Sequence, residues 1–351
     1  MGVYILLLIS IILLYPLIGK YKGLKNGEIT NNKYYIYIIS ILLIIISGFR
    51  NITIGIDTSN YKYIFHFVNT YGFEKLLDQN TEIGYTLYQI IIGEVFGDFQ
   101  ALLIITSILY ISVVSYLVFK YSKNPMLSYL LFIFFDFYTF SFSGIRQTLA
   151  LTFILLAFIQ IKNRNIFLFI TLVLIASTFH LTALIFLPTY WLGLFKLSKK
   201  NLIFFFLCAI VIYFTKDFMQ LFMNSYARIS YEVAETGGIR LYIILILTLI
   251  VGIIYRKSFT LSNPINIYLF YMMLSSVVIF PIIRINPVVL RLNYYFFIFM
   301  IIYVPNVLNA IKDRAIVFIG TCTYLIIGFF WFFTSIINSN QLIPYLFYWS
   351  N

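Results

Sequence analysis

Long apolar runs alternate with short polar breaks along this chain, and the spacing of the breaks predicts its elements. A helix needs about 20 apolar residues to cross roughly 30 Å of hydrocarbon. Runs near that length occupy 3–19, 34–49, 100–119, 124–143, 147–161, 201–215, 239–255, 264–281, 292–311 and 315–337. Two further stretches admit two readings each. The segment 83–97 (IGYTLYQIIIGEVFG) is short and carries Gln89 and Glu94, so it either spans or lies along the interface. The stretch 166–195 forms either one long tilted span or two short helices meeting near His180.

Charge placement separates these readings, because cytoplasmic loops are enriched in Lys and Arg. If 83–97 does not cross and 166–195 goes up and back, one side collects fifteen cations, among them Lys20, Lys120, Lys162, Arg256 and Lys312, against Glu28 and Asp313, a net of +13. The other side then holds nine cations, among them Arg50, Arg146, Arg284 and Arg291, with the remaining ten acids, a net of −1. The opposite assignment moves Lys120, Lys123, Lys162 and Arg164 outside and loses the asymmetry. The expected fold is therefore all-α: a polytopic membrane protein of about 12 crossings (10–14), with both termini outside. It is read as one integral domain over 1–351 with outside loops at 50–99 and 216–238. Lys20, Lys22 and Lys25 follow the first run rather than precede it, the reverse of a secretory signal, so that run is expected to stay as a span.

Composition agrees with the pattern. Apolar residues make up 62% and charged residues 10%, with a mean hydropathy of +0.96, which excludes a soluble globular domain. The net charge of +12 reads as membrane topology and not as a nucleic-acid surface. Cys208 and Cys322 lie inside apolar runs and imply neither a disulfide framework nor a thiolate metal site.

The outside arginines run against the charge bias, so each is a candidate for holding an anion. Arg146 begins a span at SGIRQ; it is read either as an interfacial arginine pairing with Asp136 or as an anion contact. Asn286 followed by Pro287 reads as N-cap and first helical residue, with Arg284 and Arg291 flanking a helix start that favours phosphate. His180 is read either as a packed histidine or as a base near neutral pH. Asp57 resembles the N-cap of an amphipathic helix carrying Tyr61 and His66, and Glu82 a first-turn acid of the next. No phosphate loop, metal-ligand spacing or serine-nucleophile elbow is present, so no cofactor is expected, although Asp57 and Glu82 could hold a metal ion.

Five blocks stand in a fixed order: Arg50, Gly55, Asp57, Tyr61; Glu82, Gly84, Tyr85; Ile145, Arg146, Gln147, Ala150; Phe179, His180, Ala183, Leu184; and Arg291, Asn293, Tyr294, Tyr295, Phe296. In that order they resemble the EpsG-like branch of the Wzy-type bacterial polysaccharide polymerases, similar in style to C-type membrane glycosyltransferases. The resemblance implies a transferase that joins undecaprenyl-diphosphate-linked oligosaccharide repeats at the outer face of the cytoplasmic membrane. On that reading Arg50, Arg146, Arg284 and Arg291 bind the diphosphate. His180 is the base, with Asp57 or Glu82 in reserve, and Tyr61, Gln147 and Tyr294 contact glycan. The bilayer is the solvent, a flippase and a chain-length regulator are candidate partners, and nucleic acid is not. A lipid-linked oligosaccharide flippase and an O-antigen ligase stand as the alternatives. A flippase predicts charges spread through a central cavity, whereas these candidates map to one face.

The charge asymmetry yields a direct test. Single cysteines at Asn80 and Gly97 are expected to react with an impermeant thiol reagent from outside. Labelling of Gly97 only from the cytoplasm would make 83–97 a true crossing.

Overall fold

The computed structural model describes residues 1–19, 32–72, 82–192, 195, 198–227, 239–283, 287–339 and 341–350, with backbone alone at 199, 216–227, 281–283 and 287–290. Among them the chain is helical, with a single isolated antiparallel bridge between Arg50 and Phe347. Hydrocarbon explains the choice: backbone amides and carbonyls that water cannot reach must pair within their own segment.

The first half contains α1 (Gly2–Ile18), α2 (Lys33–Gly48), α3 (Thr58–Tyr71), α4 (Ile83–Phe96) and α5 (Phe99–Tyr121). A broken pair follows, α6 (Pro125–Phe134) and α7 (Phe137–Ser143), then α8 (Ile145–Asn163) and α9 (Ile166–Phe179). After His180 come a 3-10 helix, Leu181–Phe186, and a single turn, α10 (Thr189–Leu192). The second half runs α11 (Lys199–Ala227), α12 (Ile239–Ile254), α13 (Arg256–Ser262), α14 (Ile265–Ile283), α15 (Pro287–Phe297), α16 (Met300–Asn309) and α17 (Arg314–Asn338). The expected apolar runs fall in helices, with breaks at 135–136 inside 124–143 and at 298–299 inside 292–311, and 166–195 is divided at His180 into α9 and the 3-10 helix and turn that follow.

Helix starts follow ordinary capping chemistry. Asn124 accepts the Leu127 amide at 3.1 Å ahead of Pro125, Asn165 accepts that of Leu168 at 3.0 Å, and Asp313 accepts that of Ala315 at 2.8 Å. Asp57 occupies the N-cap position of α3 as expected but makes no capping hydrogen bond. Glu82 sits one residue ahead of the first turn expected for it, at the N-cap of α4, and also caps nothing.

Among the described residues, four helical stretches are long and apolar enough to cross a membrane, Phe99–Tyr121, Ile145–Asn163, Arg291–Asn309 and Arg314–Asn338, or up to six if each bent pair is one span. The other apolar helical stretches with described side chains run to 10–17 residues, so helix length does not establish the twelve crossings. At 14 residues α4 extends only about 21 Å, less than the hydrocarbon thickness.

The run 124–143, expected as one span, bends by 46°. Asp136 makes the break: its backbone turns left-handed at φ 62°, and its carboxylate accepts Trp331 Nε1–H at 2.8 Å and the Thr139 hydroxyl at 3.2 Å. An aspartate tolerates that conformation better than the surrounding phenylalanines. Asp136 is thereby committed to α17 and α7, and the pairing with Arg146 is absent.

The basic ends of several helices meet at one end of the bundle. Lys162 Nζ lies 5.3 Å from the Tyr121 ring centre and the Arg164 guanidinium 5.9 Å from that of Tyr268. Asn306, buried there, accepts the Lys123 amide and donates to the Tyr121 carbonyl and to Asn266 Oδ1, each at 2.9 Å. Asn306→Leu should orphan all three groups at about 1–3 kcal/mol each. A clearly lowered thermal unfolding midpoint in detergent is expected, and an unchanged midpoint would refute this account.

Candidate functional site

Arg146 lies in the first turn of α8 and Lys162 in its last, so Arg146 is about 24 Å from the basic end. Its guanidinium pairs with Glu82 Oε2. The other carboxylate oxygen, Oε1, is 3.0 Å from His180 Nδ1. Three residues from three separate sequence blocks thus meet around one carboxylate. Their side chains are 37% (Arg146), 19% (Glu82) and 24% (His180) exposed, so a ligand can reach all three.

Local packing explains why they meet. A Cβ on Gly84 would lie 2.2 Å from Thr178 Oγ1 and 2.9 Å from the Thr178 carbonyl carbon, so only glycine lets α4 approach the end of α9. That approach sets Glu82 beside His180. Tyr85, one residue on, is buried and meets Tyr61 edge-on at 5.6 Å between ring centres. The Arg146 guanidinium in turn lies 5.8 Å from the centre of the Tyr61 ring.

His180 itself ends α9. Its amide donates to the Ala176 carbonyl at 3.0 Å, its own carbonyl accepts the Ala183 amide at 3.0 Å, and its backbone is extended. The chain therefore turns at His180 and carries the imidazole off the helix end. Thr182, two residues further, hydrogen-bonds the Tyr295 hydroxyl at 3.2 Å and ties this turn to α15.

A second link brings α15 to α8. Gln147 donates from Nε2 to the Arg291 carbonyl, while its Oε1 is buried without a partner. Arg291 is exposed, and it lies close enough to Tyr61 to act on the hydroxyl electrostatically, as Arg146 does. Asp57 acts on the same hydroxyl from the N-cap of α3.

Other candidates stand elsewhere. Arg50 is only 2% exposed; its guanidinium donates to the Ser47 carbonyl and, at 3.2 Å, to that of Phe142, and it lies 5.0 Å from the Phe142 ring centre. With its charge enclosed by carbonyls and an aromatic face, Arg50 has no surface for a diphosphate and supports the loop from beneath. Tyr294 stacks on Phe140 at 4.4 Å and 17°, so that ring face is taken by packing. Arg284 lies outside the described residues. Among the described residues no group of three or more His, Cys, Asp or Glu is placed to hold a metal ion.

Residue-by-residue reading passed over Tyr85 and Thr182 as site members. The signal for Tyr85 was its place next to Gly84 in a block that already held Glu82. Thr182 carried none, because its partner is 113 residues away.

Fold and site together define an all-α membrane protein with a carboxylate, an imidazole and a guanidinium joined at the end of the bundle opposite its basic helix ends. Residues 33–347 match the model of the EpsG family, and the chain belongs to that family. No curated protein and no solved structure matches it.

Burial opposes ionisation of Glu82, but the hydrogen bonds from His180 and Arg146 outweigh it and hold the carboxyl below its ordinary value. A carboxyl lowered by folding contributes stability that is complete above its unfolded pKa of ~4.3 and disappears as pH falls through the folded value. The difference in unfolding midpoint between the parent and Glu82→Gln is therefore expected to persist down to about pH 5 and to shrink below ~4.3. A difference that is undiminished at about pH 3 contradicts the assignment.

Proposed function

We propose that this protein is a glycosyltransferase that polymerises undecaprenyl-diphosphate-linked oligosaccharide repeats at the outer face of the bacterial cytoplasmic membrane. Membership of the EpsG family supports a polysaccharide-polymerase-like activity. The observation that carries the reading is the meeting of Glu82, Arg146 and His180 at one end of the bundle. Lys162 and Arg164 lie at the other end, and the charge rule favours a cytoplasmic position for them, which supports a site on the outside.

The chemistry suits these residues. A sugar attached to a diphosphate carries a good leaving group, so transfer needs charge stabilisation and one base. Arg146 and Arg291 would hold the phosphate oxygens, because a planar guanidinium can bind two at once. His180 would accept the proton of the attacking hydroxyl. Tyr61 and Gln147, both buried, would back the glycan side from beneath, and Asp57 stands by Tyr61 at the edge. Clustering at one end favours transfer over transport, since a transporter needs its polar groups near the middle of the bilayer.

In a strain lacking the chain, single lipid-linked repeats should accumulate on the outer leaflet; accumulation on the inner leaflet would instead indicate a flippase. In a purified assay His180→Gln should insert normally and bind donor but make polymer at least about 100-fold more slowly, in line with loss of a general base. Parental rates from His180→Gln, or full-length polymer from an Arg146→Lys, Arg291→Lys double variant, would count against these roles.

A further inference from the structure

We infer that Glu82 is a positioning residue that makes His180 a better proton acceptor only when an anionic diphosphate engages Arg146. The inference rests on the reading of His180 as base and Arg146 as anion contact, and it assigns Glu82 the link between them.

Each carboxylate oxygen has its own partner, Oε1 with His180 Nδ1 at 3.0 Å and Oε2 with Arg146. An ionised carboxylate only accepts hydrogen bonds, so Nδ1 must carry the proton and Nε2 presents its lone pair. Among the described residues Nε2 has no protein partner, and the imidazole is partly exposed, so that lone pair is available to an incoming hydroxyl. The lowered carboxyl keeps Glu82 in the ionised form this requires.

The charges then couple the two partners. Without donor, Arg146 and Glu82 neutralise each other, and little of the carboxylate's field is left to stabilise an imidazolium. A diphosphate supplies Arg146 with a stronger anionic partner, and the Glu82 charge is released to His180. By linkage the effect is reciprocal: protonation of His180 tightens diphosphate binding. Other groups close to this set are Tyr61 and Tyr85 beside Arg146, Tyr295 through Thr182, Arg291 and Asp57 towards Tyr61.

The step balances. The acceptor hydroxyl proton passes to Nε2 while its oxygen forms the new bond to the anomeric carbon, and the bond from that carbon to the diphosphate oxygen breaks with its electron pair leaving on the lipid diphosphate.

The sequence contains two histidines, and His66 is exposed on α3 away from this cluster, so a His66→Asn background leaves a single imidazole signal. Full-length protein with 15N-labelled histidine, in lipid nanodiscs at about pH 8, is expected to show the Nδ1–H tautomer, above the ordinary imidazole range. Glu82→Ala should move most of the population to the Nε2–H form. Should that variant fail to insert, Glu82→Gln gives the same reading, because an amide both donates and accepts and the tautomers become mixed. Saturating inorganic diphosphate should raise the imidazole titration midpoint by about one unit in the parent and by less than half as much in the Glu82 variants. An Nε2–H parent, tautomers indifferent to Glu82, or equal diphosphate shifts in parent and variant would each overturn the inference. If these signals appear as expected but the protein makes no polymer, the proposed function fails while the Glu82 linkage stands.

Discussion

Gly84 packs against Thr178 so closely that a methyl group there would meet both the threonine side chain and its backbone, and the site depends on that contact. A helix of 14 residues is brought against the end of one half of a hairpin, and the carboxylate at its start lands between two helices. Everything reactive follows: Glu82 reaches Arg146 on one and His180 on the other, and Tyr85 closes the space beneath Tyr61. Packing of small residues has particular weight in a membrane, where lipid tails are as apolar as the side chains and the hydrophobic effect does little to hold helices together.

A second set of contacts holds the loop that carries the first sequence block. The Phe142 carbonyl, left over at the end of α7, accepts both the Arg50 guanidinium and the Thr58 hydroxyl, the latter at 3.0 Å. Gly55, at φ 101°, passes where a Cβ would lie 2.6 Å from that same oxygen. Arginine, glycine and threonine in this block are thus one solution to one problem, an unpaired carbonyl at a helix end. That is why Arg50 behaves as a support although its position against the charge bias suggested a ligand contact.

Much of this was legible in the chain itself. The apolar runs are long and the bilayer forbids most alternatives, so helix existence and type came from pattern alone, and the helix start at Pro287 from its capping residues; at His180 the pattern left two readings, and loop charge favoured the turn. Partner choice was harder. Asp136 stands ten residues before Arg146 and seemed its natural companion, yet the aspartate bends the chain and turns to Trp331, 195 residues away. Glu82 is 64 residues from Arg146 and 98 from His180, separations that no local period encodes. The number of crossings was inferred from loop charge, and charge says which side a loop occupies without saying whether a helix of 14 residues bridges the gap.

The segment after α17 lies back across the first loop. The Asn51 amide donates to the Leu346 carbonyl at 2.9 Å, Gly55 donates to that of Gln341 at 3.2 Å, and Tyr348 donates to that of Phe49 at 2.9 Å. These partners are nearly 300 residues apart in the chain. At about 5–20 residues per second, a ribosome needs roughly 15–60 s to deliver the second set after the first. During that interval the loop bearing Arg50 and Asp57 has left the ribosome without the strand-like strap that fixes it. The block translated early is therefore among the last to acquire its final shape, waiting on the arrival of residues 341–348.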